Sequence, residues 1–170
     1  MFIGRQEELG ILGALLEKKS SSAMVYGKRK VGKTTLIRKV LESSPDKTVY
    51  YECLKAPVQE NVDGFVSVLV RENIIPVQLS FKSFVDVFAY LNTLEGTYNV
   101  VIDEYPYLKE FSDASTVDSV FQSVIDNCIP SANGSEVCVE HTANQNSDEQ
   151  GGESLFGDER EEDRNYRGDK

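Results

Sequence analysis

Residues 26–35 read YGKRKVGKTT and place four basic side chains within ten residues of a chain whose formal net charge is −10. Within this stretch Gly27, Gly32, Lys33 and Thr34 match the pattern G-x-x-x-x-G-K-[ST] at every position. Average residue frequencies give a chance match in under about one chain in a hundred of this length. A solvated basic turn is the simpler interpretation, but the spacing favours a loop that binds phosphate.

Each residue type in this pattern has a chemical role beside a polyphosphate. Glycine permits positive φ and lets bare backbone N–H groups approach the anion, while the following helix points its partially positive N-terminus at it. Lys33 is expected to reach the β and γ phosphates, and the Thr34 hydroxyl is expected to hold Mg²⁺. The residues predicted to bind the nucleotide in this loop are Gly27, Lys28, Arg29, Lys30, Val31, Gly32, Lys33, Thr34 and Thr35.

The surrounding sequence predicts a strand that enters this loop and a helix that leaves it, as a phosphate loop requires. An apolar run at residues 23–26 precedes the loop, and apolar residues recur at helical spacing over residues 36–41. The order of the elements indicates an α/β fold, a P-loop NTPase-like parallel sheet with flanking helices. The other predicted helices cover residues 6–18, 64–71, 83–94 and 116–129, and the other predicted strands residues 48–54 and 100–102.

A second group of candidate residues stands at the end of the last predicted strand. Residues 100–103 read VVID, and a continuous apolar run is typical of a central parallel strand covered on both faces. Ligands gather at the carboxyl ends of such strands. Asp103 is therefore predicted to stabilise Mg²⁺ through a water, and Glu104 to polarise the attacking water as general base. The alternative is that Asp103 caps the next helix and Glu104 faces solvent.

The composition changes abruptly near Pro130. Residues 131–170 carry 11 acidic and 4 basic side chains, whereas residues 1–130 carry 17 and 14. The second segment also has few large apolar residues, so it is predicted to be a disordered acidic tail. We therefore divide the chain into a P-loop domain at residues 1–130 and a tail at residues 131–170. The nearly neutral body gives no indication for or against nucleic acid.

Composition also excludes several classes of protein. No segment approaches the roughly 20 apolar residues of a membrane helix, and the start, MFIGRQEEL, lacks the apolar core of a signal peptide, so we expect a cytoplasmic protein. The odd number of cysteines, Cys53, Cys128 and Cys138, argues against a disulfide framework and favours reduced thiols. A zinc site with two histidines is excluded because His141 is the only histidine.

Two further patterns narrow the class of nucleotide-binding protein. The N-K-x-D element with which GTPases specify guanine does not occur, and Arg71 is the only arginine between Arg38 and Arg160, which disfavours the arginine-rich lid of a small-molecule kinase. The adjacent Asp-Glu pair favours an ATPase with its own catalytic glutamate. The alternatives are an interaction protein that uses nucleotide for stability and contacts a partner with its acidic tail, and, less favoured, a P-loop kinase.

Three segments together resemble one protein family. They are FIGRQEEL at residues 2–9, VYGKRKVGKTTLI at residues 25–37 and VVIDEYPYL at residues 100–108. They look like the prokaryotic archaeal-type ATPases, relatives of the AAA+ and STAND P-loop ATPases, and the resemblance spans residues 1 to about 130.

The resemblance implies that Phe2, Ile3 and Gly4 lie near the adenine of ATP. It also implies that Lys33 and Thr34 hold phosphate and Mg²⁺, and that Asp103 and Glu104 complete the metal and water site. An N-terminal hydrophobic staple of the first helix is the alternative role for Phe2 and Ile3.

The resemblance ends where the family has a fourth apolar strand, between the first and third strands of its sheet, that closes on a polar sensor residue. Here residues 131–150 read SANGSEVCVEHTANQNSDEQ, and only EVCV at residues 136–139 could serve as that strand. We therefore expect an incomplete sheet, and a tail that results from a frameshift or gene truncation. An evolved regulatory tail is the alternative, and translation of the other reading frames downstream of codon 130 would decide between them.

Overall fold

Helices on both faces of a mostly parallel sheet make up the part of the chain that the structure describes. The computed structural model describes residues 5–18, 21–27, 31–128, 136–142 and 156–157 of the 170 residues. The helices are α1 (Gln6–Leu16), α2 (Lys33–Leu41), α3 (Val58–Arg71), α4 (Phe84–Leu91) and α5 (Ala114–Ser123). The strands are β1 (Ser22–Gly27), β2 (Lys47–Glu52), β3 (Tyr98–Asp103), β4 (Glu136–Thr142) and β5 (Phe156–Gly157). The predicted α/β fold with a parallel sheet is confirmed.

The strand order in the sheet is β2-β3-β4-β1-β5. β2, β3, β4 and β1 run parallel, whereas the two-residue β5 pairs with β1 in the antiparallel direction. Asp103 at the end of β3 is aligned with Glu52 at the end of β2, and Gly27 at the end of β1 is aligned with Thr142. The carboxyl ends of the parallel strands therefore share one edge of the sheet.

β4 lies inside the segment predicted to be a disordered tail. Its backbone pairs with β1 at residues 137–142 and with β3 at residues 136–139. The expected gap in the sheet between β1 and β3 is therefore filled, and the prediction of an incomplete sheet is wrong at this position. The physical reason is that a strand paired on both sides is stabilised by its neighbours, even where its own sequence indicates a strand weakly. Most of residues 129–170 lie outside the described residues, and the origin of this segment stays a prediction.

The sheet separates two apolar cores because side chains alternate between the faces of a strand. Val101 of β3 packs with α1 and α2 on one face, whereas Val100 and Ile102 pack with α3, α4 and α5 on the other. β2 divides in the same way, with Tyr50 on the first face and Tyr51 on the second. All six residues of β3 are buried, which confirms that the VVID run belongs to a strand covered on both faces.

The observed helices differ from the sequence-based prediction in their bounds and in their types. α3 begins at Val58, six residues before the predicted start, because Pro57 precedes a first turn that is too polar to show the apolar spacing. Tyr105–Glu110 forms a 3₁₀ helix that was not predicted, and Val124–Cys128 continues α5 as a π-helical turn.

Among the described residues, no helix has both the length and the apolar character needed to cross a membrane.

A buried asparagine fastens the loop that follows β2. The Asn61 side chain is fully buried; its Oδ1 accepts hydrogen bonds from the Tyr51 hydroxyl at 2.9 Å and the Leu54 N–H at 2.7 Å. Its Nδ2 donates to the backbone oxygens of Leu54, Ala56 and Pro57 at 3.0–3.2 Å. The loop is therefore attached to the first turn of α3 by bonds that satisfy a buried amide.

Replacing Gly64 by alanine should destabilise this arrangement. An added Cβ would lie 2.7 Å from the Tyr51 hydroxyl oxygen, and the buried ring is held by Asn61 and cannot move away without loss of that bond. We expect G64A to lower the free energy of unfolding by about 1–3 kcal/mol in urea titrations. G10A is the matched control: no atom lies within 4 Å of its added Cβ, so it should stabilise by about 0.5–1 kcal/mol. Equal effects of both would contradict the packing described here.

Candidate functional site

The predicted phosphate loop connects the end of β1 to the start of α2. Gly27 ends β1, and Lys33 is the first residue of α2. Gly32, the N-cap of α2, has φ 84°, a left-handed conformation, and no atom of the described residues lies within 4 Å of a Cβ added there. Glycine is thus required at position 32 for its backbone conformation and not for space. Lys28, Arg29 and Lys30 lie outside the described residues.

The N-terminus of α2 is suited to an anion. Among the described residues no side chain caps it, its first turn contains no acidic residue, and its first helical hydrogen bond runs from the Leu36 N–H to the Gly32 carbonyl oxygen at 3.0 Å. The backbone N–H groups of residues 33–35 therefore have no acceptor within the helix. The Lys33 side chain is only 4% exposed, so this cation belongs to the interior of the site.

Asp103 meets this helix at the carboxyl end of β3, and its side chain is 4% exposed. The Thr34 hydroxyl donates a hydrogen bond to Asp103 Oδ2 at 3.2 Å, and the Glu104 N–H donates to Oδ1 at 2.8 Å. The Tyr50 hydroxyl also donates to Oδ2. The structure thus brings Thr34 of the loop together with Asp103 of the strand end, and their shared metal site stays a prediction.

The oxygen donors at this point fit Mg²⁺. Magnesium takes oxygen ligands and usually keeps several waters in its shell. The Asp103 carboxylate lies 3.2 Å from the Thr34 hydroxyl, so it is within reach of a water on a cation bound to that hydroxyl. A hydroxyl and a carboxylate beside a phosphate-binding helix are donors that this hard cation prefers.

Glu104 adopts a backbone conformation that is unusual for its residue type. Its φ is 53°, in the left-handed region, and it is the N-cap of the 3₁₀ helix without any side-chain cap bond. Asp103 therefore does not cap that helix, contrary to the alternative interpretation, although it accepts the N–H of Glu104 itself. Within the described residues the Glu104 carboxylate has no hydrogen-bond partner. Strained backbone held in place by its surroundings is frequent at functional sites.

The 3₁₀ helix is anchored to α5 directly after Glu104. The Tyr105 hydroxyl donates to Asp118, and Lys109 Nζ lies 2.5 Å from the same carboxylate and 5.0 Å from the centre of the Tyr105 ring. Burial, with the hydrogen bond to Asp118, raises the pKa of the Tyr105 phenol, which therefore stays a neutral donor. This anchor supports the unusual backbone of Glu104.

Cys53 follows β2 and is bonded through its backbone to Asp103. Its N–H donates to the Asp103 carbonyl oxygen at 2.8 Å, and its side chain is 2% exposed. Burial, followed by the charges of Asp103 and Glu104, raises the pKa of the Cys53 thiol. A neutral thiol is a poor nucleophile and a poor metal ligand, so Cys53 is a packing residue.

The remaining predicted site residues lie either outside the described residues or in exposed positions, and one residue at the site was not predicted. Phe2, Ile3 and Gly4, expected near the adenine, lie outside the described residues. Val31 and Thr35 are exposed at the start of α2. Tyr50 was not singled out from the sequence, because its contact with Asp103 depends on the register between β2 and β3.

A parallel sheet whose first strand leads through a glycine loop into a helix, with an aspartate at the end of a second strand beside that helix, defines the P-loop ATPase class of fold. The chain belongs to a family described as "ATPase domain predominantly from Archaea", whose sequence model matches residues 2–139. The resemblance noted from the three sequence segments is therefore confirmed.

Two curated relatives come from Methanocaldococcus jannaschii. An uncharacterized protein is 30% identical over 127 residues, which are 74% of this chain and 26% of the relative. An uncharacterized ATP-binding protein is 43% identical over 54 residues, 31% of this chain and 92% of the relative. This chain thus spans about a quarter of the length of the first relative.

Solved structures of archaeal proteins share the fold. A Walker-type ATPase of Pyrococcus abyssi superimposes with a TM-score of 0.57 at 20% identity, over 82% of this chain and 45% of that chain. The Aeropyrum pernix ORC1 protein, solved in complex with DNA, gives 0.59 at 19% identity over 84% and 40%. The ORC2 protein of the same organism, in ADPNP and ADP complexes, gives 0.56 at 16% over 84% and 42%.

The strain at Glu104 can be measured. Glycine adopts positive φ without the roughly 1–2 kcal/mol that other residues lose, so E104G should raise the free energy of unfolding by about 0.5–1 kcal/mol after the entropy cost of glycine. N73G is the matched control, since Asn73 has φ 54° and asparagine tolerates this region, and it should show a smaller gain. Urea unfolding followed by circular dichroism gives both values. A less stable E104G protein would show that the Glu104 backbone is not strained.

Proposed function

We propose that the chain is an ATP- and Mg²⁺-binding P-loop module that hydrolyses ATP slowly or not at all by itself. The hydrogen bond between the Thr34 hydroxyl and Asp103 Oδ2 carries this proposal, because it places a metal-binding hydroxyl and carboxylate beside the uncapped N-terminus of α2. The membership in an ATPase family and the likeness to nucleotide-binding structures support the same ligand.

Each residue then has a defined task. Backbone N–H groups at the start of α2, with Lys33, contact the phosphates; Thr34 and Asp103 hold Mg²⁺. When bound, Mg²⁺ neutralises charge on the β and γ phosphates. Glu104 orients the attacking water and accepts its proton, and its half-buried carboxylate at the edge of the sheet suits that task. Phe2, Ile3 and Gly4 contact the adenine, while Gly27, Lys28, Arg29, Lys30, Val31, Gly32 and Thr35 form the rest of the phosphate loop.

We also propose that the chain is a member of a regulatory ATPase family of the AAA+ and STAND kind and that it acts in the cytoplasm. The length of the first curated relative, of which this chain spans 26%, supports a role within a larger assembly. Slow turnover of the isolated chain, together with self-association or a protein partner, follows from such an arrangement. A nucleic-acid partner is not part of the proposal.

A second candidate is an interaction protein that binds nucleotide for stability alone. An exposed apolar pair favours it: Leu54 is 54% exposed and Phe111 is 51% exposed. They flank an ion pair of Lys55 and Glu110 at 2.9 Å, near the edge of the sheet where the nucleotide would bind. A P-loop kinase, the third candidate, requires an acceptor other than water.

Steady-state phosphate release separates these candidates. Any phosphate release by the wild-type chain should exceed that of E104Q, which keeps the shape of the side chain but cannot act as a base. ATP binding should persist in E104Q. Background rates from both proteins, with binding intact, would leave the interaction protein as the better description. Phosphate transfer to an added acceptor would favour the kinase.

Nucleotide affinity should depend on Lys33 more than on any other side chain. Loss of a charge-assisted bond to phosphate in a buried site should cost at least about 2 kcal/mol, roughly a thirtyfold rise in Kd for ATP measured by calorimetry. K39A is the matched control: Lys39 lies on the same helix but is exposed and paired with Glu42. Unchanged affinity of K33A would remove the phosphate-loop assignment.

A further inference from the structure

Tyr50 reaches the candidate metal site from a strand that the sequence motifs do not include. β2 and β3 are aligned so that Glu52 lies opposite Asp103 and Tyr50 lies opposite Val101. Residues two apart point to the same face of a strand, and they are about 6.6 Å apart along it. A tyrosine at position 50 is therefore on the same face as Asp103 and long enough to reach it.

The contacts of Tyr50 connect the two halves of the site. Its hydroxyl donates to Asp103 Oδ2, the same oxygen that accepts the Thr34 hydroxyl. The Arg38 guanidinium carbon lies 4.9 Å from the centre of the Tyr50 ring, and Arg38 is one turn beyond Thr34 on α2. The ring thus lies between the helix that supplies the hydroxyl ligand and the strand that supplies the carboxylate.

Packing alone does not account for the phenol oxygen. The ring packs against the apolar cluster of α1, α2 and β3, which phenylalanine would fill equally well. The neighbouring Tyr51 points to the opposite face, where its hydroxyl satisfies Asn61. The Tyr50 hydroxyl, in contrast, is directed at the carboxylate that faces Thr34.

We propose that Tyr50 is a positioning residue that holds the Asp103 carboxylate in the orientation needed for Mg²⁺. This inference rests on the proposed function. Bonds from Tyr50 to Oδ2 and from the Glu104 N–H to Oδ1 restrain both oxygens, so the carboxylate cannot rotate about its Cβ–Cγ bond. The Thr34 hydroxyl can then donate its proton to Oδ2 and still offer its lone pairs to a cation.

The test is Y50F, which removes the hydroxyl and keeps the ring. Partners that orient metal ligands typically contribute 10- to 100-fold to metal affinity. We therefore expect Y50F to need about tenfold more Mg²⁺ for half-maximal binding of a fluorescent ATP analogue, with unchanged binding of the analogue in EDTA. Y98F is the matched control, because the Tyr98 hydroxyl bonds to Glu95 at the opposite edge of the sheet. Electron paramagnetic resonance of bound Mn²⁺ should show the same loss of metal affinity.

Two further variants test whether Tyr50 acts through Asp103 and through a hydrogen-bond donor on its ring. In a D103N background Y50F should have no additional effect on the Mg²⁺ dependence, because Tyr50 acts through Asp103. Replacement of Tyr50 by 4-aminophenylalanine, which restores a donor at the same place on the ring, should recover the wild-type dependence. An unchanged Mg²⁺ requirement in Y50F, or an equal loss in the D103N background, would overturn the role of Tyr50. Absence of Mg²⁺-dependent nucleotide binding in the wild-type chain would instead overturn the proposed function.

Discussion

The hydrogen bond from Thr34 to Asp103 joins two parts of the chain that are not neighbours in the sheet. Thr34 belongs to the helix that follows β1, and Asp103 ends β3, with β4 between these strands. Neighbouring strands lie about 4.8 Å apart, so β1 and β3 are separated by about 9.6 Å. β4 therefore separates the two strands, and the Thr34 hydroxyl near the start of α2 bonds across that width to the Asp103 carboxylate.

The two apolar cores pack on opposite faces of the sheet and hold the candidate site from both sides. On one face α1 and α2 pack on Val25 and Val101. The helix that follows the predicted phosphate loop, α2, therefore packs directly on the central strands. On the other face α3, α4 and α5 bury a larger, aromatic-rich cluster, in which the Phe65 ring centre lies 5.8 Å from that of Phe84 and 5.6 Å from that of Phe88. The strand end that carries Asp103 is therefore held from both sides, as pre-organised charge requires.

Local patterns predicted the parts of the structure that depend on few residues. Gly32, Lys33 and Thr34 were recognisable because the motif is contiguous, and Asp103 because an apolar run ends at it. Tyr50 was not recognisable, because its contact with Asp103 arises from strand register. The start of α3 at Val58 was missed because the first turn is polar, and β4 because pairing on both sides stabilises it. The left-handed φ of Glu104 was not recognisable either, because glutamate rarely adopts this conformation and no local pattern marks it.

The hydrogen bonds between Asn61 and the loop that follows β2 have a consequence for how these parts move. Because Asn61 bonds to Leu54, Ala56 and Pro57, this loop should move with α3 as one body. Lys55 of that loop is bonded to Glu110 at the far end of the 3₁₀ helix that begins beside Glu104. A displacement of α3 would therefore be transmitted through the Lys55–Glu110 ion pair to the 3₁₀ helix that begins after Glu104, the proposed general base, without passing through the sheet.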